Sequence, residues 1–101
     1  MRKEDVLIFD IETYSPHDIK SEFDEYVATA KAKWVGFYSF KPEANGKYYL
    51  LKVKGNEQLI RDIITEHKAI FGFNSKEFDG AILKNNGLWG SGYHIELDAQ
   101  E

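Results

Sequence analysis

The chain has no cysteine, one methionine and two prolines. Absent thiols exclude disulfide scaffolds, thiolate zinc sites, redox motifs and cysteine nucleophiles, and they fit a reducing, cytoplasmic setting. Long apolar runs are missing as well. Val6–Phe9 and Trp34–Tyr38 fall far short of the roughly 20 residues that span a bilayer, and the opening Met-Arg-Lys-Glu-Asp has no signal-peptide core. No membrane partner is expected. An excess of positive charge is lacking too: 13 Lys+Arg stand against 17 Asp+Glu, a net charge of −4. That balance excludes a broad basic surface, so contact with nucleic acid would need a bridging cation or a local patch.

What is present, 43% hydrophobic and 30% charged residues in 101, fits one globular domain over residues 1–101, with no repeats or linkers. Asp5–Ile11 is a continuous apolar, β-branched run, which predicts a strand buried on both faces and broken by Glu12–Pro16. Ile19, Phe23, Tyr26, Val27 and Ala30 have helical spacing and predict a helix within Asp18–Ala32. Trp34–Phe40 and Lys47–Val53, separated by Lys-Pro-Glu-Ala-Asn-Gly, read as an antiparallel hairpin.

Further on, Leu59, Ile60, Ile63 and Ile64 give Asn56–Lys68 an amphipathic helical face with Asn56 placed to cap it. Ala69–Phe73 is a short buried strand, and Ser75 can cap a helix over Lys76–Asn85 that Asn86-Gly87 stops. A glycine-containing loop over Leu88–Tyr93 precedes a short strand at His94–Leu97, and Leu97-Asp-Ala-Gln-Glu looks like a helix opening. This order predicts an α/β fold, a mixed β-sheet with flanking helices.

Two groups of residues carry chemistry. Asp10 and Glu12, two apart at the end of a strand, lean to one side of the sheet. A pair of carboxylates there suits a hard divalent cation such as Mg²⁺ or Mn²⁺. The same pair also arises where one acid points to solvent or caps the next turn. Asp79 opens a helix after a short strand, where the helix dipole alone favours an acid. Asn74 is equally placed to cap or turn the chain, and Phe78 to join the core. If the sheet sets both strands side by side, all three acids converge within a few Å.

Leu7-Ile-Phe-Asp-Ile-Glu-Thr13 and Gly72-Phe-Asn-Ser-Lys-Glu-Phe-Asp79 resemble the first and second motifs of the DEDD superfamily of 3′→5′ exonucleases, which have the ribonuclease H-like fold. The Asn-x-x-x-Phe-Asp form is most similar to the proofreading domains of family B DNA polymerases and their phage or stand-alone relatives. The resemblance covers roughly Val6 to Leu83. It implies a ribonuclease H-like mixed sheet and a two-metal site in which Asp10 bridges two Mg²⁺ or Mn²⁺ ions. Glu12 would hold the ion that activates water, and Asp79 would help hold the other. It also implies Thr13 beside the 3′-terminal nucleotide, Phe78 against its base or sugar, and Asn74 ordering the site or touching the strand.

The third motif of that family, a Tyr or His with a nearby Asp on a later helix, has no counterpart. Tyr93 or His94 with Asp98 is superficially similar but comes too soon after Asp79. The expectation is thus the N-terminal part of an exonuclease domain, hydrolysing phosphodiester bonds at single-stranded DNA 3′ ends, with RNA sharing the same acids. By itself such a chain would be nearly inactive, and it would associate with itself or with a polymerase domain to cover an open face. The alternative is a catalytically inactive ribonuclease H-like module that binds nucleic acid or protein. His17 and His67 have no ligand spacing and read as surface or helix-end residues, and Trp34 and Trp89 read as packing aromatics.

Overall fold

A computed structural model describes residues 1–72, 78–89 and 95–98, the last four as backbone. Among these residues five strands, β1 (Val6–Tyr14), β2 (Lys31–Ser39), β3 (Tyr48–Lys52), β4 (Ala69–Gly72) and β5 (Ile95–Asp98), form one sheet in the order β3-β2-β1-β4-β5. Neighbours β1/β2 and β2/β3 are antiparallel, whereas β1/β4 and β4/β5 are parallel. Among the described residues three helices, α1 (Phe23–Thr29), α2 (Glu57–Thr65) and α3 (Gly80–Asn85), complete a mixed α/β fold with β1 at its centre. The β2–β3 turn uses the expected chemistry: a 3₁₀ turn at Pro42–Ala44, then Asn45 and Gly46 in the left-handed region at φ 59° and 64°.

Alternation along β1 sorts its side chains. Leu7, Phe9 and Ile11 face the core, where they cluster with Val35 and Phe37 of β2, Ile60 and Ile64 of α2, and Ile82 and Leu83 of α3. Each such side chain contributes about 1.5–3 kcal/mol through burial. Ile8, Asp10 and Glu12 point the other way, opposite Tyr38, Gly36 and Trp34 of β2. Among the described residues no helix covers this second face, and Trp34, Tyr48 and Leu50 lie exposed on it. The apolar run of β1 suggested burial on both faces, but among the described residues only one is packed.

The elements differ from expectation where local side-chain bonds win. β1 continues past Ile11 to Tyr14, because a bulge opposite Glu12/Thr13 lets Thr13 pair with Ala32 and Tyr14 with Lys31. The helix expected within Asp18–Ala32 shrinks to α1. Its first turn is pre-empted by Asp18 Oδ1, which accepts the amides of Lys20 and Ser21 at 2.8 and 3.0 Å, and by Ser15 Oγ, which accepts that of His17. Those amides hold the Asp18 carboxyl below its usual range.

The expected helix over Lys76–Asn85 is described only as α3, since Ser75 and Lys76 lie outside the described residues. Its end is as anticipated. Gly87 sits at φ 70°, its amide donates to Lys84 O, and the Leu88 amide donates to Leu83 O, a Schellman closure sealed by buried Leu83 and Leu88. The strand expected at His94–Leu97 lies at Ile95–Asp98, so Leu97-Asp98 is strand rather than a helix opening.

Candidate functional site

β1 presents the Asp10 and Glu12 carboxylates together on the open face. Two positions along a strand are roughly 7 Å apart, and two charges at that distance in water repel by about 0.6 kcal/mol. Exposure therefore makes the pair tolerable without any counter-charge. Asp10 Oδ1 also accepts the amide of Ile11 at 3.0 Å. Both carboxylates are hard oxygen donors, the ligand type that a divalent cation such as Mg²⁺ takes.

The floor of this site is Gly36, which pairs directly with Asp10. Tyr48 of β3 crosses it: a Cβ at position 36 would collide with the Tyr48 phenol oxygen and Cζ. Burial of the phenol raises the Tyr48 pKa, and the nearby negative charges of Asp10 and Glu12 push it in the same direction. Glu12 is paired with Trp34, whose indole is exposed rather than packed as its sequence context suggested.

Asp79 lies elsewhere. It is 6% exposed, and a Cβ at Gly72 would stand 3.4 Å from its Oδ2 and 3.1 Å from the Phe9 ring. Position 72 follows Phe71, the partner of Ile8, and so faces the helix-covered side with Phe9. The structure thus sets Asp10 and Glu12 on the open face and packs Asp79 on the covered side. Among the described residues no three His, Asp or Glu side chains come together as a metal-holding group. The expected three-acid convergence is not formed among them.

The remaining candidates divide similarly. Thr13 Oγ1 is 2.7 Å from the Tyr26 hydroxyl, tying the end of β1 to α1. Phe78 stacks on Tyr26, with centroids 5.9 Å apart, and leans on Phe23 at 6.1 Å, so it belongs to an aromatic cluster beside the core. Asn74 lies outside the described residues, as do Tyr93 and His94. His67 is a helix-end residue as expected but a buried one. Ile63 O accepts from its Nδ1–H at 2.7 Å, and its Nε2 meets the Ser39 hydroxyl at 2.7 Å, linking α2 to β2 beneath an apolar hollow of about 290 Å³. Trp89 packs against the core under Lys84, as its aromatic character suggested.

Four lysines were missed by the sequence reading. Lys31 and Lys33 start β2, while Lys52 and Lys54 end and follow β3, so antiparallel pairing gathers all four at one end of the hairpin. The signal was available in the alternating lysines that flank both predicted strands on the side away from the turn.

Neither protein-family models nor curated proteins match this chain. Among solved structures it is similar to the family B DNA polymerase of the hyperthermophilic archaeon Pyrobaculum calidifontis, with a TM-score of 0.54 and 21% identity over 83% of this chain. The chain spans 11% of that polymerase. At this identity the likeness is one of fold. No helix among the described residues is long and apolar enough to cross a membrane.

Proposed function

We propose that this chain is a ribonuclease H-like module of a metal-dependent 3′→5′ exonuclease acting on single-stranded DNA ends. The observation that carries the reading is the Asp10–Glu12 pair, set side by side on the open face of the central strand of a β3-β2-β1-β4-β5 sheet. The fold likeness to a family B polymerase supports it. Asp10 and Glu12 would hold Mg²⁺ or Mn²⁺, which when bound lowers the pKa of water and polarises a phosphoryl oxygen. The chain's own contribution is to fix both carboxylates on a rigid strand, with the Tyr48 phenol over Gly36 and the exposed Trp34 indole beside them to meet a strand end.

A second reading, a catalytically inactive nucleic-acid-binding module, is favoured by the placement of Asp79 on the covered side. One pair of experiments separates the two. Mn²⁺ should broaden the amide resonances of residues 8–13 and 34–37, and this broadening should vanish in Asp10→Asn/Glu12→Gln. Release of nucleotides from 3′-labelled single-stranded DNA, lost in Asp10→Ala, establishes the enzyme. Mn²⁺ broadening without any hydrolysis leaves the inactive module, and broadening remote from residues 8–13 overturns the metal assignment.

A further inference from the structure

The hollow at the open end of the hairpin measures about 660 Å³ and is lined by Lys31, Lys33, Lys52, Lys54, Trp34 and Asn86. In a chain of net charge −4, four lysines lining one hollow form a local positive patch. Among the described residues none of these lysines has an ion-pair partner, since the two ion pairs found are Arg2–Glu4 and His17–Glu22. One acid, Glu57, also lines the hollow, but its Oε1 accepts the Gly55 amide at 3.0 Å. The fold itself assembles the patch. The β1/β2 register passes from Glu12↔Trp34 to Thr13↔Ala32, so Lys33 is the extra residue of the bulge, with its carbonyl accepting the Val53 amide at 3.0 Å. Bulges re-aim side chains, and this one places Lys31 and Lys33 on either side of buried Ala32. Asn86 anchors that segment by accepting the Ala32 amide at 3.1 Å and donating to Ala30 O at 2.9 Å.

Trp34, 37% exposed, stands at the junction, paired on one side with Glu12 and on the other with Lys52. A flat indole next to unpaired cations matches a polyanion that carries aromatic rings. Single-stranded nucleic acid has both features, with phosphates for ammonium groups and unstacked bases for an exposed ring. An acidic peptide would use the charges and leave the indole without a role. From Lys31, paired with Tyr14, to Asp10 is about 14 Å along β1 at roughly 3.4 Å per residue.

We infer that the Lys31/Lys33/Lys52/Lys54 hollow binds the phosphate backbone of single-stranded nucleic acid, with Trp34 stacking on a base, and leads the strand to Asp10 and Glu12. The last step rests on the exonuclease reading; the binding does not.

The test uses the full chain in EDTA, which separates binding from hydrolysis, with fluorescein-labelled oligothymidylate read by anisotropy over a salt series. Expected is a slope of log K against log salt of up to about −3, because each of four phosphate contacts adds about −0.7. Each single Lys→Gln change should flatten the slope by about 0.7. The quadruple variant should lose at least tenfold in affinity while keeping its circular dichroism and melting temperature. Oligothymidylate should quench tryptophan fluorescence in the parent and in Trp89→Phe, but not in Trp34→Phe.

Binding that survives the quadruple variant overturns the inference, as does stronger binding of polyglutamate or of phosphatidylserine vesicles at equal charge. Retention of binding by Asp10→Asn/Glu12→Gln, in a chain that hydrolyses nothing with Mn²⁺, overturns the exonuclease reading and leaves this inference standing. Hydrolysis unchanged in the quadruple variant overturns the step that leads the strand from the hollow to Asp10 and Glu12, and leaves the exonuclease reading standing.

Discussion

Tyr48 occupies the space that a side chain at Gly36 would fill, bringing a phenol from the edge strand β3 over β2 toward the carboxylates of β1. Its raised pKa has two separable origins, burial first and the Asp10 and Glu12 charges second. Asp10→Asn/Glu12→Gln should therefore lower the Tyr48 pKa while leaving it above that of a free tyrosine. Spectrophotometric alkaline titration against a Tyr48→Phe blank measures this. The sign for stability follows from linkage. Because the folded pKa exceeds the unfolded value near 10, the unfolded chain loses this proton first, so the contribution of Tyr48 is complete below about pH 10 and fades above it. An unchanged Tyr48 pKa in the double variant would place the phenol out of range of the acids.

Gly36→Ala probes the same contact from the other side. The added methyl displaces the end of a flexible side chain that is itself 57% exposed, so the ring can swing outward. Loss of stability should stay near or below about 1 kcal/mol, within the range of mild overpacking. The Tyr48 pKa should fall at the same time, as burial of the phenol is relieved. Urea denaturation and the same alkaline titration give the two numbers, and a large destabilisation with an unmoved pKa would mean that the ring is locked in place.

How much of this could be read in the sequence depends on the range of the forces. The β1, β2 and β3 strands, α2 and the turn at Pro42–Gly46 are specified by periodicity and turn residues within a few positions, and they appear where expected, except that β1 runs on to Tyr14 and β2 begins at Lys31 rather than Trp34. The extent of α1 was not legible, because Ser15 and Asp18 spend their side chains on nearby amides that a helix would otherwise need free. The Asp10–Glu12 pair could be read from strand alternation alone. The place of Asp79 could not, since it depends on how the α3 approach packs against Gly72 and Phe9. Nor could the lysine hollow be found one segment at a time, because Lys31 and Lys54 meet only when the hairpin closes.

Asn86 ends α3 and holds three backbone groups, accepting the Ala32 amide through Oδ1 and donating through Nδ2 to Ala30 O and Ile82 O. Asn86→Asp keeps the acceptor but turns both donations into contacts between oxygens. The half-buried carboxylate should then have a raised pKa, because the two carbonyl oxygens at hydrogen-bond distance outweigh the solvated lysines of the hollow, which pull the other way. A raised pKa means that stability is fullest below about pH 4 and is lost as pH rises through the folded value. At neutral pH the loss should be about 2–3 kcal/mol, while Asn86→Ala should lose about 1–3 kcal/mol with little dependence on pH. Thermal melts from pH 4 to 8 distinguish the two, and parallel pH profiles would remove Asn86 Nδ2 from the account.

Gly72 ends β4 with negative-φ backbone, so its requirement is for space rather than for conformation. A methyl there meets the Phe9 ring at 3.1 and 3.3 Å and Asp79 Oδ2 at 3.4 Å. Phe9 is 4% exposed and clustered with the core, so the ring has little freedom to retreat. Gly72→Ala should lower stability by about 1–3 kcal/mol, the range for overpacking a filled core. Gly72→Ala/Phe9→Leu, which removes part of the ring, should recover some of that loss although Phe9→Leu alone is destabilising. If the metal site of the proposed exonuclease draws on Asp79, the same methyl should weaken Mn²⁺ binding more than it lowers the melting temperature of the metal-free chain would explain. Calorimetric titration of Mn²⁺ into folded protein well below its melting point is the measurement. Equal Mn²⁺ affinity in Gly72→Ala and the parent would restrict the cation to Asp10 and Glu12, where the carboxylate pair stands by itself on the open face.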